Sequence, residues 1–119
     1  MTPAELRAAL YMLLSPYLGT FAPSGEPAIW VGEPPADWRA RGLSVHISPV
    51  PNQTNVPAYA TSAVVSSYEV RLVSHGAPTA QAAAARAILR RWPDAVALPP
   101  QAPNEQLGIL GQQIIEITP

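Results

Sequence analysis

Residues 43–48 read LSVHIS and residues 67–74 read SYEVRLVS, and these two stretches decide the fold. In both, apolar and polar side chains alternate, which is typical of a β-strand with one buried and one exposed face. We expect the two strands to pair antiparallel. The residues that we expect to face the core are Leu43, Val45, Ile47, Tyr68, Val70 and Leu72.

Helical patterns lie on both sides of this strand pair. Thr2 precedes Pro3, and Glu5 follows three positions after Thr2, which is the signature of a capped helix start. Apolar residues then recur every three to four positions and predict a helix from about residue 3 to about residue 15. The alanine-rich stretch Ala80 to Arg91 predicts a second helix, which Pro93 ends.

Shorter segments connect these elements. We expect loop at residues 20–27, a short strand at 28–31, and either a turn of helix or loop at 37–42. Residues 107–118 fit two short strands or one bulged strand. About eighteen residues, rich in proline and amide side chains, separate the two alternating strands and are far too many for a tight hairpin.

The fold class that follows is α+β, in a single domain over residues 1–119. We predict a small antiparallel sheet of four to five strands, flanked by two helices, with a long extended loop between two of the strands. A chain of 119 residues has room for one domain of this kind.

Composition points to association with other proteins. Charged residues make up 13% of the chain, about half the usual share, so we expect neighbours to cover part of the surface. The net charge is -1, all seven basic residues are arginine, and the one basic run is the pair Arg90-Arg91. Binding to duplex nucleic acid needs several clustered cations, so this composition does not favour it.

The residues that support catalysis or metal binding are missing or scattered. The chain has no cysteine, its eight carboxylates are dispersed, and no nucleophile elbow or phosphate-binding loop occurs. His46 lies on the polar face of a strand and His75 lies at a strand end, where a solvated or neighbour-contacting side chain is the ordinary case. We therefore expect no catalytic residue, no cofactor and no metal site.

The absence of a leader peptide and of a long apolar run predicts a soluble protein made in a cytoplasm, with no membrane partner.

The candidate functional residues are accordingly interface residues. The amides of the long loop are hydrogen-bonding groups, Trp38 is a partly exposed anchor, Arg86 and Arg90 form a helix face, and the last strand offers a free edge for a neighbour. The residues are Asn52, Gln53, Asn55, Tyr59, Trp38, Arg86, Arg90, Ile115 and Ile117.

The order of the elements and the chain length resemble the tail terminator and head-tail connector (neck) proteins of long-tailed bacteriophages. The resemblance covers the whole chain as a pattern of elements and not as a residue motif. It rests on Ala4-Leu18, the strands Leu43-Ser48 and Tyr68-Ser74, the loop Pro49-Ser62, the helix Thr79-Arg91 and the closing segment Gln113-Thr118.

This resemblance implies a virion structural protein, assembled in the host cytoplasm. Such proteins form hexameric rings at the head-proximal end of the tail, where they terminate the tail tube and join it to the neck. The implied partners are copies of the chain itself, the tail tube protein and the connector proteins. DNA passing through the ring lumen would be contacted without sequence specificity.

Three alternatives stay open at this point. The first is another head-tail connector or head-closure ring protein. The second is a homo-oligomeric interaction domain outside phages, such as a secretion-system or contractile-injection component. The third is a small enzyme whose site forms between subunits. A ring-sized mass in solution favours the ring proteins, whereas a monomer or dimer favours the enzyme.

Overall fold

The computed structural model describes residues 2–50, 67–76, 78–104, 106 and 108–118, which form two helices and six strands. The helices are α1 (Pro3–Leu14) and α2 (Pro78–Arg91). The strands are β1 (Thr20–Ala22), β2 (Ile29–Val31), β3 (Arg39–Pro49), β4 (Tyr68–His75), β5 (Val96–Ala97) and β6 (Gly111–Ile117). The α+β class is therefore confirmed.

The sheet is built on the pairing of β3 with β4. The two strands are antiparallel, as the alternating stretches predict, and Val45 lies opposite Leu72. The strand order is β1-β3-β4-β6-β5. Strand β3 is long enough to pair with β1 through its first residues and with β2 further along. The β2–β3 pair is parallel, and the other pairs are antiparallel.

Both helices pack on the same face of the sheet. Helix α1 begins with the predicted capping box, in which Glu5 N donates to Thr2 Oγ1 at 3.2 Å and Thr2 N donates to Glu5 Oε1 at 3.1 Å. Its apolar stripe and that of α2 meet the inward side chains of the strands in one core. The fully buried members of that core include Leu6, Leu10, Leu14, Leu43, Val45, Ile47, Val70, Leu72 and Ile88.

Two boundary predictions and the predicted number of strands differ from the structure. Residues 20–22, expected as loop, form β1, and residues 39–42, expected as a turn or loop, belong to β3. The final segment contains one regular strand, β6, and the described residues hold six strands where four to five were expected. Strands of two or three residues are too short to display an alternating pattern, so the sequence does not reveal them.

The expectation that the last strand is a free edge is wrong. Strand β6 lies between β4 and β5, and the proline-rich segment beyond β5 continues along its outer side. Leu98 N donates to Ile114 O at 2.9 Å and Gln101 N donates to Gln112 O at 2.8 Å. The backbone groups of β6 are therefore occupied on both sides. The long loop predicted at 49–62 lies outside the described residues from residue 51 onward.

Gly19 is the point where the chain leaves α1 and joins the sheet. Its N–H donates to Leu43 O at 2.9 Å, and its carbonyl accepts from Ala28 N at 3.0 Å. A Cβ atom at this position would collide with the backbone carbonyl oxygen of Arg41. The close approach of these two backbones therefore requires glycine.

We predict that Gly19→Ala lowers the free energy of unfolding by roughly 3 kcal/mol or more, because the backbones of β1 and β3 must separate to admit the methyl group. The measurement is urea unfolding followed by circular dichroism. The matched control is Gly25→Ala, where φ is +76° but no atom lies within 4 Å of the added Cβ. There the left-handed backbone alone costs about 1–2 kcal/mol. Equal effects at the two positions would contradict the explanation.

Candidate functional site on the open face of the sheet

The two helices cover one face of the sheet, and we call the other side the open face. One row of directly paired residues crosses it from β2 to β6. Trp30 lies opposite His46, His46 opposite Arg71, and Arg71 opposite Ile114. The row therefore places an aromatic ring, an imidazole and a guanidinium side by side. His46, which the sequence pattern places on the polar face of β3, therefore lies near the centre of the open face.

Three aromatic rings form a cluster at the β1–β2 side of the open face. The ring centroids of Trp30 and Trp38 are 5.1 Å apart, those of Phe21 and Trp38 are 5.6 Å apart, and those of Phe21 and Trp30 are 6.2 Å apart. The Phe21–Trp30 and Trp30–Trp38 pairs are edge to face, an arrangement that aromatic pairs prefer. Trp38, expected as a partly exposed anchor, is half-buried because it packs in this cluster.

A cavity of about 750 Å³ lies beside the aromatic cluster. Phe21 and Trp38 form its apolar wall, and His46, Arg71 and His75 supply polar groups. The cavity opens to solvent, so small molecules can enter and leave it. Sequence reasoning did not find this cavity, because its wall comes from the turn before β3 and its floor from the middle of the sheet.

Burial keeps His46 neutral at neutral pH. Its pKa is lowered from the ordinary 6.5 first by burial and then by the charge of Arg71, while Glu33 opposes the shift and His75 adds slightly to it. Ser44 Oγ lies 3.4 Å from Val73 O and 3.0 Å from His46 Nε2. The hydroxyl has one proton, which either the carbonyl or the imidazole can accept, so the direction of the Ser44–His46 hydrogen bond depends on the tautomer of His46.

His75 behaves similarly. Burial lowers its pKa below the ordinary value, and a hydrogen bond with the backbone of Gly108 partly opposes the change. Both imidazoles of the cavity are therefore uncharged at neutral pH. Among the residues lining the cavity, Arg71 then carries the positive charge and Glu33 the negative charge.

The Ser44–His46 pair does not have the arrangement of a nucleophile and its base. Ser44 is completely buried within the sheet, so no substrate atom can approach its oxygen. Within the described portion of the chain, no three histidine, cysteine or carboxylate side chains are placed to hold a metal ion. No helix there has both the length and the apolar composition needed to cross a bilayer.

A pair of carboxylates lies next to the cavity on the open face. Glu69 of β4 and Glu116 of β6 are directly opposite each other in the ladder, and Ser48 and Val96 flank them in the same row. The register of β4 with β6 therefore brings together two carboxylates that lie far apart in the sequence. Like charges directly opposite in a sheet are destabilising unless a cation is near.

Apart from Trp38, which packs in the aromatic cluster, the structure separates the predicted interface residues into three groups. Arg86 and Arg90 are exposed on the outer side of α2, one turn apart. Ile115 and Ile117 are fully buried in the core, so their assignment to an interface is wrong: they point toward the helices, not toward a neighbour. The four predicted residues of the long loop lie outside the described part of the chain; they are Asn52, Gln53, Asn55 and Tyr59.

Comparison of the chain with models of known protein families, with curated proteins and with solved structures finds no match. Its function is therefore inferred from the residues and their arrangement.

We predict that His46 contributes a pH dependence to folding. Between its lowered folded-state pKa and the ordinary value of 6.5, the unfolded chain binds a proton at His46 and the folded chain does not. Stability therefore rises with pH across this window and is lost as pH falls. The difference in unfolding free energy between the wild type and His46→Gln should shrink as pH decreases below 6.5.

The direct measurement is an NMR titration of the His46 ring protons in the folded protein. His75 titrates in the same spectrum as an internal comparison, since its pKa is lowered chiefly by burial and without a neighbouring arginine among the causes. A His46 midpoint at or above 6.5 would contradict the prediction.

Proposed function

We propose that this chain is a structural protein that assembles with copies of itself into a ring, most specifically the hexameric ring that terminates a bacteriophage tail tube and joins it to the neck. Its partners in this proposal are the tail tube and connector proteins, and its location is the virion. DNA would cross the lumen without sequence-specific contact. The other neck and head-closure rings form the nearest alternative, because they require the same kind of self-association.

The main observation that supports the proposal is that, among the described elements, no helix covers the second face of the sheet. Both helices lie on one face, while the open face keeps apolar and aromatic side chains beside its polar row. Val96 is 55% exposed and Leu98 is 36% exposed at the β5 side, and the aromatic cluster lies at the opposite side. A sheet normally buries its apolar face against another layer, so a surface of this kind is suited to a protein partner.

The order of the elements gives further support. The resemblance to tail terminator and neck proteins rests on a capped N-terminal helix, a long antiparallel strand pair, a helix across the sheet and a closing strand. The chain between the two strands is long in the sequence, although most of it lies outside the described residues. A closed ring of identical subunits needs a heterologous contact, in which two different surfaces of the subunit meet. The helical side and the open face are two such surfaces.

The chemistry of the open face favours binding over catalysis. The serine nearest to a histidine is buried, and the carboxylates Glu69 and Glu116 lie side by side on adjacent strands. The open face also has a cavity, and an enzymatic function would use a site that a neighbouring subunit completes.

The number of copies in the assembly distinguishes the ring function from the enzymatic one, because a ring requires several subunits. The test of the proposal is imaging of the purified assembly, with six copies expected at one axial level.

We predict that removing residues 53–60 abolishes ring assembly and leaves the subunit folded, because the long connection between β3 and β4 reaches an adjacent subunit or the tail tube in this proposal. Sedimentation velocity measures the assembly, and circular dichroism with urea unfolding measures the fold. A Gly-Ser replacement of the same length separates the effect of loop sequence from that of loop length. Assembly that survives both changes would show that the loop has no such role.

A further inference from the structure

We propose that neighbouring copies of this chain bind head to tail, with Arg86 and Arg90 of one copy placed on Glu69 and Glu116 of the next. This inference rests on the proposed self-assembly and specifies the two surfaces that meet. We call the first surface the arginine pair and the second the glutamate pair.

In the described part of the chain, no cationic side chain lies directly opposite Glu69 or Glu116 in the ladder. Glu69 and Glu116 are directly opposite on adjacent antiparallel strands, so their Cβ atoms are about 5 Å apart. Both side chains are half-buried, which weakens the screening of their mutual repulsion by water. Two cations brought from outside would convert this repulsion into attraction.

The single positive charge of Arg71 cannot neutralise both carboxylates of the glutamate pair. Arg71 lies on the open face two residues after Glu69, but it is directly opposite His46 and Ile114 and lines the cavity. One guanidinium faces two carboxylates here, and Glu33 at the cavity adds a third negative charge. With both histidines neutral, the open face therefore keeps an excess of negative charge at neutral pH.

The arginine pair has a matching geometry. Arg86 and Arg90 are four residues apart on α2, so their Cβ atoms are about 6 Å apart on one side of the helix. Both are exposed. Arg91 is engaged separately, because its guanidinium lies 4.9 Å from the ring centroid of Trp92. Two glutamates whose Cβ atoms are about 5 Å apart thus meet two arginines whose Cβ atoms are about 6 Å apart, and each Arg–Glu contact can be bidentate.

The surroundings of the two pairs allow close approach. Ala82 and Ala83 lie one turn before the arginine pair on the same helix and add little bulk to its outer surface. Beside the glutamate pair, Val96 lies directly opposite Glu116 and is 55% exposed. Contact between this alanine surface and Val96 would exclude water around the charges, which strengthens their interaction.

The placement of the pairs makes the contact heterologous. Helix α2 packs on the helical side of the sheet, and the glutamate pair lies on the open face, so the two surfaces belong to opposite sides of the subunit. Each copy can therefore bind one neighbour through each side. Such a contact generates a ring if its rotation closes, and this is the assembly that the proposed function needs.

Charge reversal tests this pairing. The first variant is Arg86→Glu/Arg90→Glu, and the second is Glu69→Arg/Glu116→Arg. In each, like charges meet at the contact, so we expect self-association weakened at least about a hundredfold in sedimentation velocity. An equimolar mixture of the two variants restores opposite charges at every contact, and we expect assembly to return. The quadruple variant, which carries both reversals, should assemble alone.

The controls reverse exposed charges outside both pairs, namely Glu26→Arg and Arg41→Glu, and should assemble as the wild type does. Urea unfolding establishes that each variant is folded. If the second variant does not fold, Glu69→Gln/Glu116→Gln replaces it, because this change removes the attraction without adding bulk.

The outcomes separate this inference from the proposed function. Loss of assembly in each reversal variant, with recovery in the mixture, supports the pairing. A wild-type ring that survives both reversals overturns the pairing and leaves the ring proposal standing. A wild-type dimer that the reversals dissociate and the mixture restores supports the pairing and overturns the ring. A wild type that stays monomeric overturns both.

Discussion

The structure depends on the antiparallel pairing of β3 with β4. This ladder fixes which side chains face the helices, since a shift of one residue would move Val45, Leu72 and their neighbours to the opposite face. It also places β1 and β2 along the outer edge of β3 and β6 along the outer edge of β4. Both the core and the open face are therefore consequences of one register. Burial of the inward side chains under α1 and α2 holds that register in place.

The sequence predicts the elements that carry a clear period or cap. The alternation in β3 and β4, the capping box of α1 and the alanine-rich pattern of α2 lead to the right elements and the right pairing. Strand β1 is hidden because three residues show no period. The parallel pairing of β2 depends on the space left beside the second half of β3, which no local pattern encodes.

The candidate site was predictable only in part. The exposure of Arg86 and Arg90 follows from the helix period, because the apolar stripe of α2 lies on its other side. The assignment of Ile115 and Ile117 failed because a terminal strand was assumed to be an edge. The segment that follows β5 carries prolines and no alternation, yet it supplies the backbone bonds that cover β6. The aromatic cluster and the cavity arise from contacts between distant segments.

A low content of charged residues makes the position of each charge informative. In a highly charged surface, a like-charged pair across a ladder is easily screened by its neighbours. Here Glu69 and Glu116 face each other on a sheet whose remaining open-face cation, Arg71, is directed toward the cavity, and the matching cations lie on the far side of the molecule. The fold keeps these opposite charges apart within one subunit. In the proposed assembly a second subunit brings them together, with the helical side of one copy on the open face of the next.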